Sequence, residues 1–121
     1  MQVLSGADQF GASTVGEPHW VEHLRVTDLS VGTYSLAAGS VDTQEPHTED
    51  EIYVVLKGRG ALATEGATAE VGHGSVVYVP AGEPHHFVSI VEDLVLVVLF
   101  APAEGTRSAG GPSQAAPFVR P

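Results

Sequence analysis

A chain of 121 residues fits one domain, and a hydrophobic content of 43% is enough to give that domain a core. With 15 acids against 5 bases the formal net charge is -10, which repels phosphate backbones and anionic lipid and argues against nucleic acid or a membrane surface as partner. There is no cysteine, so neither a disulfide framework nor a thiolate metal site is available, and any metal must sit on nitrogen and oxygen.

The N-terminus, Met1-Gln2-Val3-Leu4-Ser5, carries no basic or long apolar run, so no secretory signal is visible and a cytoplasmic protein is expected. Residues 1–20 show no clean period and read as an N-terminal arm or edge strand. Trp20 to Val26 alternates weakly and Leu29 to Ala37 better, with Tyr34 and Leu36 on one face and Asp28 marking the turn between. Ala38-Gly39-Ser40 breaks the second run. Ile52 to Lys57 is β-branched and aromatic and reads as a buried strand, which Gly58-Arg59-Gly60 is expected to turn. Ala61 to Thr64 and Ala67 to Val71 form a hairpin around Glu65-Gly66. Ser75 to Val79 follows, stopped by Pro80-Ala81-Gly82. His85 to Ile90 comes next, then an acidic turn at Glu92-Asp93, then Leu94 to Phe100. That last run is far short of the roughly 20 residues a bilayer span needs. Residues 102–121 are rich in Ala, Gly and Pro and read as a flexible tail or a strap.

No window holds a helical period. About seven to nine short strands divided by Gly and Pro predict an all-β, single-domain sandwich or barrel spanning residues 21–101. Leu94 to Phe100 is apolar on both faces, so one face needs a second sheet or a partner subunit, and a homodimer is expected.

Two stretches carry chemistry. Glu45-Pro46-His47-Thr48-Glu49-Asp50-Glu51 runs into the strand at Ile52, and Pro80-Ala81-Gly82-Glu83-Pro84-His85-His86-Phe87 answers it. In an extended chain alternate side chains share a face, so Glu45, His47 and Glu51 point one way, and His85 closes the set from another strand. Two imidazoles and a carboxylate make a facial triad with open positions, suited to a first-row divalent ion such as Fe(II), Mn, Ni or Zn. Glu45 is a fourth candidate ligand or a general base; Gln44 or water are the alternatives for its position. Glu49 and Asp50 read as solvated loop acids, and His19, His23, His73 and His86 as surface or packing residues. By parity Tyr53 and Val55 share the face of Glu51, and Phe87 and Ser89 that of His85. Tyr34, Leu36 and Tyr78 are placed in the same interior. The pocket would be largely apolar and suited to a small organic molecule, with Tyr53 or Tyr78 as acid or hydrogen-bond donor.

The two stretches resemble the paired motifs of the cupin superfamily, G(X)5HXH(X)3,4E(X)6G and G(X)5PXG(X)2H(X)3N. Gly39, Glu45, His47, Glu51 and Gly58 fall at the first set of spacings; Gly74, Pro80, Gly82, His85 and Ser89 at the second. Glu45 stands where the family has its first histidine and Ser89 where it has asparagine. The resemblance implies a small single-domain cupin, a double-stranded β-helix or jelly-roll barrel, with His47, Glu51 and His85 on three metal-ligand positions. It implies an enzyme of dioxygenase type or another metal-assisted isomerase, lyase or cyclase, with Glu45 and Tyr53 as candidate catalytic residues. The alternative is a barrel that binds or senses a small molecule without chemistry.

Overall fold

A strand with one apolar face must lay it against another sheet. The computed structural model describes residues 1–11 and 14–107 and shows how this chain does so. Among the described residues six strands are present: β1 (His19–Val26), β2 (Leu29–Leu36), β3 (Asp50–Thr64), β4 (Ala67–Gly72), β5 (Val76–Val79) and β6 (His85–Ala101). They pair antiparallel in the order β1-β2-β6-β3-β4, with β5 also on β3. The only helical element among these residues is a single 3-10 turn, Ala7–Gln9, and no helix is long and apolar enough to cross a membrane. The architecture is the single-domain jelly roll that the strand pattern and motifs implied. Its core gathers Tyr34, Leu36, Tyr53, Phe87, Leu96 and Phe100, all essentially without solvent contact.

The strands are fewer and longer than expected. Gly58-Arg59-Gly60 does not turn the chain; β3 runs straight through it, and Glu92-Asp93 likewise lies inside β6. Instead the β3–β6 ladder shifts register between Val55 and Ala61, so that residues 50–57 pair with 95–101 and residues 59–64 with 85–92. Gly58 has φ +92, and a Cβ there would lie 2.0 Å from the Asp93 carbonyl oxygen. Glycine thus serves here as a bulge that lets two backbones nearly touch, which bends the paired ribbon without ending it.

Tyr78, expected inside, is 60% exposed, because β5 turns Val79 inward and Tyr78 alternates outward. Ser89 is exposed while Ile90 is buried, so the face shared by His85 and Phe87 is lost at Ser89, where φ is +50. The N-terminal arm is pinned to the outside of β2: the Thr33 hydroxyl donates to the Ala7 carbonyl at 2.9 Å and Ser35 to that of Phe10 at 2.8 Å. Residues 102–107, expected in the tail, fold back instead, burying Ala103 and Glu104. The remainder of the expected tail, 108–121, lies outside the described residues.

Candidate metal centre

His47 precedes β3 on a loop, Glu51 is the second residue of β3, and His85 opens β6. His85 pairs along the ladder with Thr64 at the far end of β3, so it meets Glu51 across the barrel interior. The two loops are tied directly: the Gly82 amide donates to the His47 carbonyl at 2.8 Å, and the Ala81 amide to Asp50 Oδ1 at 2.9 Å. Asp50 therefore anchors a loop and is not merely solvated. The outcome brings one ligand atom from each of His47, Glu51 and His85 within 4.8 Å of the others. The three residues are 7%, 1% and 3% exposed.

The protonation pattern of this cluster limits what it can hold. His85 Nδ1 lies 2.8 Å from the Glu83 carbonyl, which can only accept, so that nitrogen carries a proton. Nε2 of the neutral ring then turns a lone pair toward Glu51 Oε1 at 3.0 Å. Lone pair faces lone pair, and both Glu51 oxygens, like His47 Nε2, lack a hydrogen-bond partner although fully buried. Buried polar atoms are normally partnered, so this arrangement demands a shared proton or a metal ion. Burial opposes a charge on His85, but the Glu51 carboxylate and the Glu83 carbonyl outweigh it and raise its pKa. Burial dominates at His47, helped by His85 and opposed by Glu51, and lowers its pKa, which keeps a neutral imidazole ready to coordinate. The neutral imidazole of His47, that of His85 once it gives up the proton it shares with Glu51, and the Glu51 carboxylate form a donor set that fits a divalent first-row ion.

A polar layer backs the cluster. Tyr53 is fully buried, its hydroxyl 3.0 Å from His85 Nε2 and 3.1 Å from Gln44 Oε1. Burial, with Glu51 close by, raises its pKa well above the ordinary phenol value, so it stays a neutral donor. Asp42 holds this layer together. Its Oδ2 accepts from Gln44 Nε2 at 2.5 Å and from the Phe87 amide at 2.8 Å, and its Oδ1 from the Tyr34 hydroxyl at 2.9 Å.

Of the residues expected from sequence, His47, Glu51, His85 and Tyr53 converge; Glu45 does not. Its side chain is exposed, and residues 41–49 form no strand. Asp42 and Gln44 point inward and Glu45 and Pro46 outward before His47 returns to the interior, so the strict alternation that placed Glu45 beside His47 fails. Gln44 is nearer the site, but as a partner of Tyr53. Glu49 is also not a solvated acid: it is 2% exposed and accepts from the Gly105 amide at 3.0 Å and the Arg107 amide at 3.1 Å. Two buried acids escaped sequence reasoning altogether. Asp42 carried no signal beyond its share of a loop, and Glu104 none beyond being the one acid among residues 102–121.

Comparison with known proteins agrees with this fold. The family model described as Cupin domain matches residues 32–101. The uncharacterized protein SCO3923 of Streptomyces coelicolor is 48% identical over 85 residues, 70% of this chain and 81% of its own. Among solved structures, an uncharacterized conserved protein with a double-stranded β-helix domain from Klebsiella pneumoniae superposes with a TM-score of 0.73 at 18% identity, over 84% of this chain and 91% of that one. The DMSP lyase DddQ from Ruegeria pomeroyi superposes with a TM-score of 0.60 at 24% identity, over 75% of this chain and 42% of that one.

Proposed function

The chain belongs to the cupin domain family, and from that premise we propose that it is a metalloprotein, holding one divalent ion on His47, Glu51 and His85 and acting on a small organic molecule. The observation that carries the reading is the set of buried, unpartnered ligand atoms on His47 and Glu51 facing His85. The donor set is compatible with Fe(II), Mn, Ni or Zn. Such an ion would act as a Lewis acid and orient an oxygen-bearing substrate. The chain's own contribution is positional. Glu83 fixes the His85 tautomer through Nδ1, Gln44 orients the Tyr53 hydroxyl, and the apolar walls exclude water. The neutral Tyr53 hydroxyl donates to Gln44 Oε1 beside the ligands, and turning that one proton toward a substrate oxygen would stabilise negative charge developing there. That donor makes metal-assisted lyase or isomerase chemistry the second reading beside dioxygenase-type chemistry, and the fold likeness to a lyase is consistent with it.

Elemental analysis of purified protein tests the metal. Stoichiometric Fe, Mn, Ni or Zn that His47→Ala removes is the expected result; protein that stays metal-free after reconstitution overturns the reading in favour of an ion-free binding barrel. Oxygen uptake with candidate substrates then separates the dioxygenase from the lyase or isomerase.

A further inference from the structure

Glu104 sits in an improbable place for a carboxylate. It is 3% exposed, and neither of its oxygens has a hydrogen-bond partner. Yet the backbone around it is held from several sides. Its amide donates to the Ser30 hydroxyl at 2.9 Å, its carbonyl accepts from Arg25 Nη1 at 2.8 Å, and Glu49 clamps the Gly105 and Arg107 amides just beyond. Strands β1 and β2 and the loop before β3 thus cooperate to bury an acid without satisfying it. Burying an unpartnered carboxyl is destabilising, so stability does not explain the arrangement.

What Glu104 faces is His47: its Oε2 lies 3.9 Å from Nδ1, with both side chains buried. The His47 ring is set edge-on against Phe100, centroids 5.0 Å apart, and its unpartnered Nε2 is the other ring nitrogen. The second imidazole is built the same way, with Nδ1 against the Glu83 carbonyl and Nε2 turned to Glu51. At His85 the carbonyl is within hydrogen-bond distance of Nδ1. At His47 the Glu104 oxygen stands on the Nδ1 side at 3.9 Å, beyond a hydrogen bond, so a small closing movement is needed for it to hold the Nδ1–H tautomer and leave the Nε2 lone pair free. Ligand histidines characteristically use such a partner on the non-coordinating nitrogen.

We propose that Glu104 is a positioning residue of the metal centre, delivered by the 102–107 segment to fix the tautomer and orientation of His47. This rests on the metal-binding reading above, and it makes the segment after β6 part of the site. Glu104 works through His47 and not as a ligand of its own, since it falls outside the three-residue ligand group.

The test is Zn(II) affinity, by competition with a chelator at neutral pH, for the full-length wild type and for Glu104→Met, Glu104→Ala and Glu104→Gln, with the Co(II) absorption spectrum as second readout. Removing the acceptor in the Met and Ala variants should weaken Zn(II) binding by about 10–100-fold and shift the Co(II) bands, the range typical of lost partners behind metal ligands. Gln keeps an acceptor oxygen and should recover most of the affinity and the wild-type spectrum. Wild-type affinity and spectrum in the Met or Ala variant would overturn the proposal. Equal losses in all three variants would also overturn it, because an acceptor oxygen at this position would then not be what matters. A wild type that binds no Zn(II) or Co(II) would instead sink the metal reading itself, a result distinct from either.

Discussion

Glu51→Gln separates a metal centre from an inert polar core. The substitution keeps the side chain's shape while removing the anionic ligand, at a position 1% exposed whose two oxygens have no hydrogen-bond partner. A ligand that binds only the folded state stabilises it by RT ln(1 + [L]/Kd), which is about 2.7 kcal/mol at a hundredfold excess over Kd. A domain of this size moves by roughly 3–5 °C per kcal/mol, so the wild-type melting temperature should rise by about 8–13 °C with the cognate ion. If Glu51→Gln weakens binding about a hundredfold, the same ion concentration leaves only ~0.4 kcal/mol, or about 1–2 °C. The metal-free variant should remain folded, because His85 can shed its proton once the carboxylate 3.0 Å away is gone. Differential scanning fluorimetry across Mn(II), Fe(II), Ni(II) and Zn(II) makes the comparison. No metal-dependent shift in the wild type, or an equal shift in the variant, would refute the reasoning.

Three further outcomes are expected. Gly58→Ala places a methyl 2.0 Å from the Asp93 carbonyl at φ +92. Positive φ alone costs roughly 1–2 kcal/mol, and the clash adds to it, so urea unfolding should show a loss of at least ~2 kcal/mol; a loss near zero would mean that β3 and β6 are not so closely apposed. Burial, with Glu51 as the next cause, pushes the Glu104 carboxyl up to about 9 from 4.5. A raised acid pKa contributes stability that is fully present below 4.5 and is lost as pH climbs toward 9. The metal-free protein should therefore weaken across that window, by up to ~1.4 kcal/mol per pH unit, and Glu104→Gln should flatten the profile; superimposable profiles would contradict it. Finally, Val31, Leu99, Ile52 and Tyr78 pair in register across the outside of β2, β6, β3 and β5, with Ile52 37% and Tyr78 60% exposed. We expect a homodimer through this face, which Ile52→Asp dissociates in light scattering; a wild type that is already monomeric rejects it.

The fold was legible because its signals are local. Period-two alternation placed Tyr34, Leu36, Tyr53 and Val55 inside correctly, and the glycine and proline spacing around His47 and His85 identified the family. Strand number was misread because Gly58-Arg59-Gly60 is ambiguous in one dimension. Glycine at positive φ is what a tight turn needs, and also what a bulge needs when another strand's carbonyl occupies the space of a Cβ. Only the partner strand, more than thirty positions later, decides between them.

The errors at the site have a common cause. Glu51, Tyr53 and His85 lie on strands, where parity fixes which way a side chain points, and all three are buried. Glu45, Glu49, Asp42 and Glu104 lie on segments with no strand pairing, where nothing periodic sets direction. There the outcome depends on single hydrogen bonds, such as the Phe87 amide drawing Asp42 inward or Glu49 capturing the Gly105 and Arg107 amides. Glu49 and Glu104 are coupled in this way across fifty-five positions: the first clamps the backbone that carries the second to His47. Strand parity thus sets the direction of Glu51, Tyr53 and His85, while His47, Asp42, Glu49 and Glu104 come from loops, and where these point becomes visible only once the barrel has closed around them.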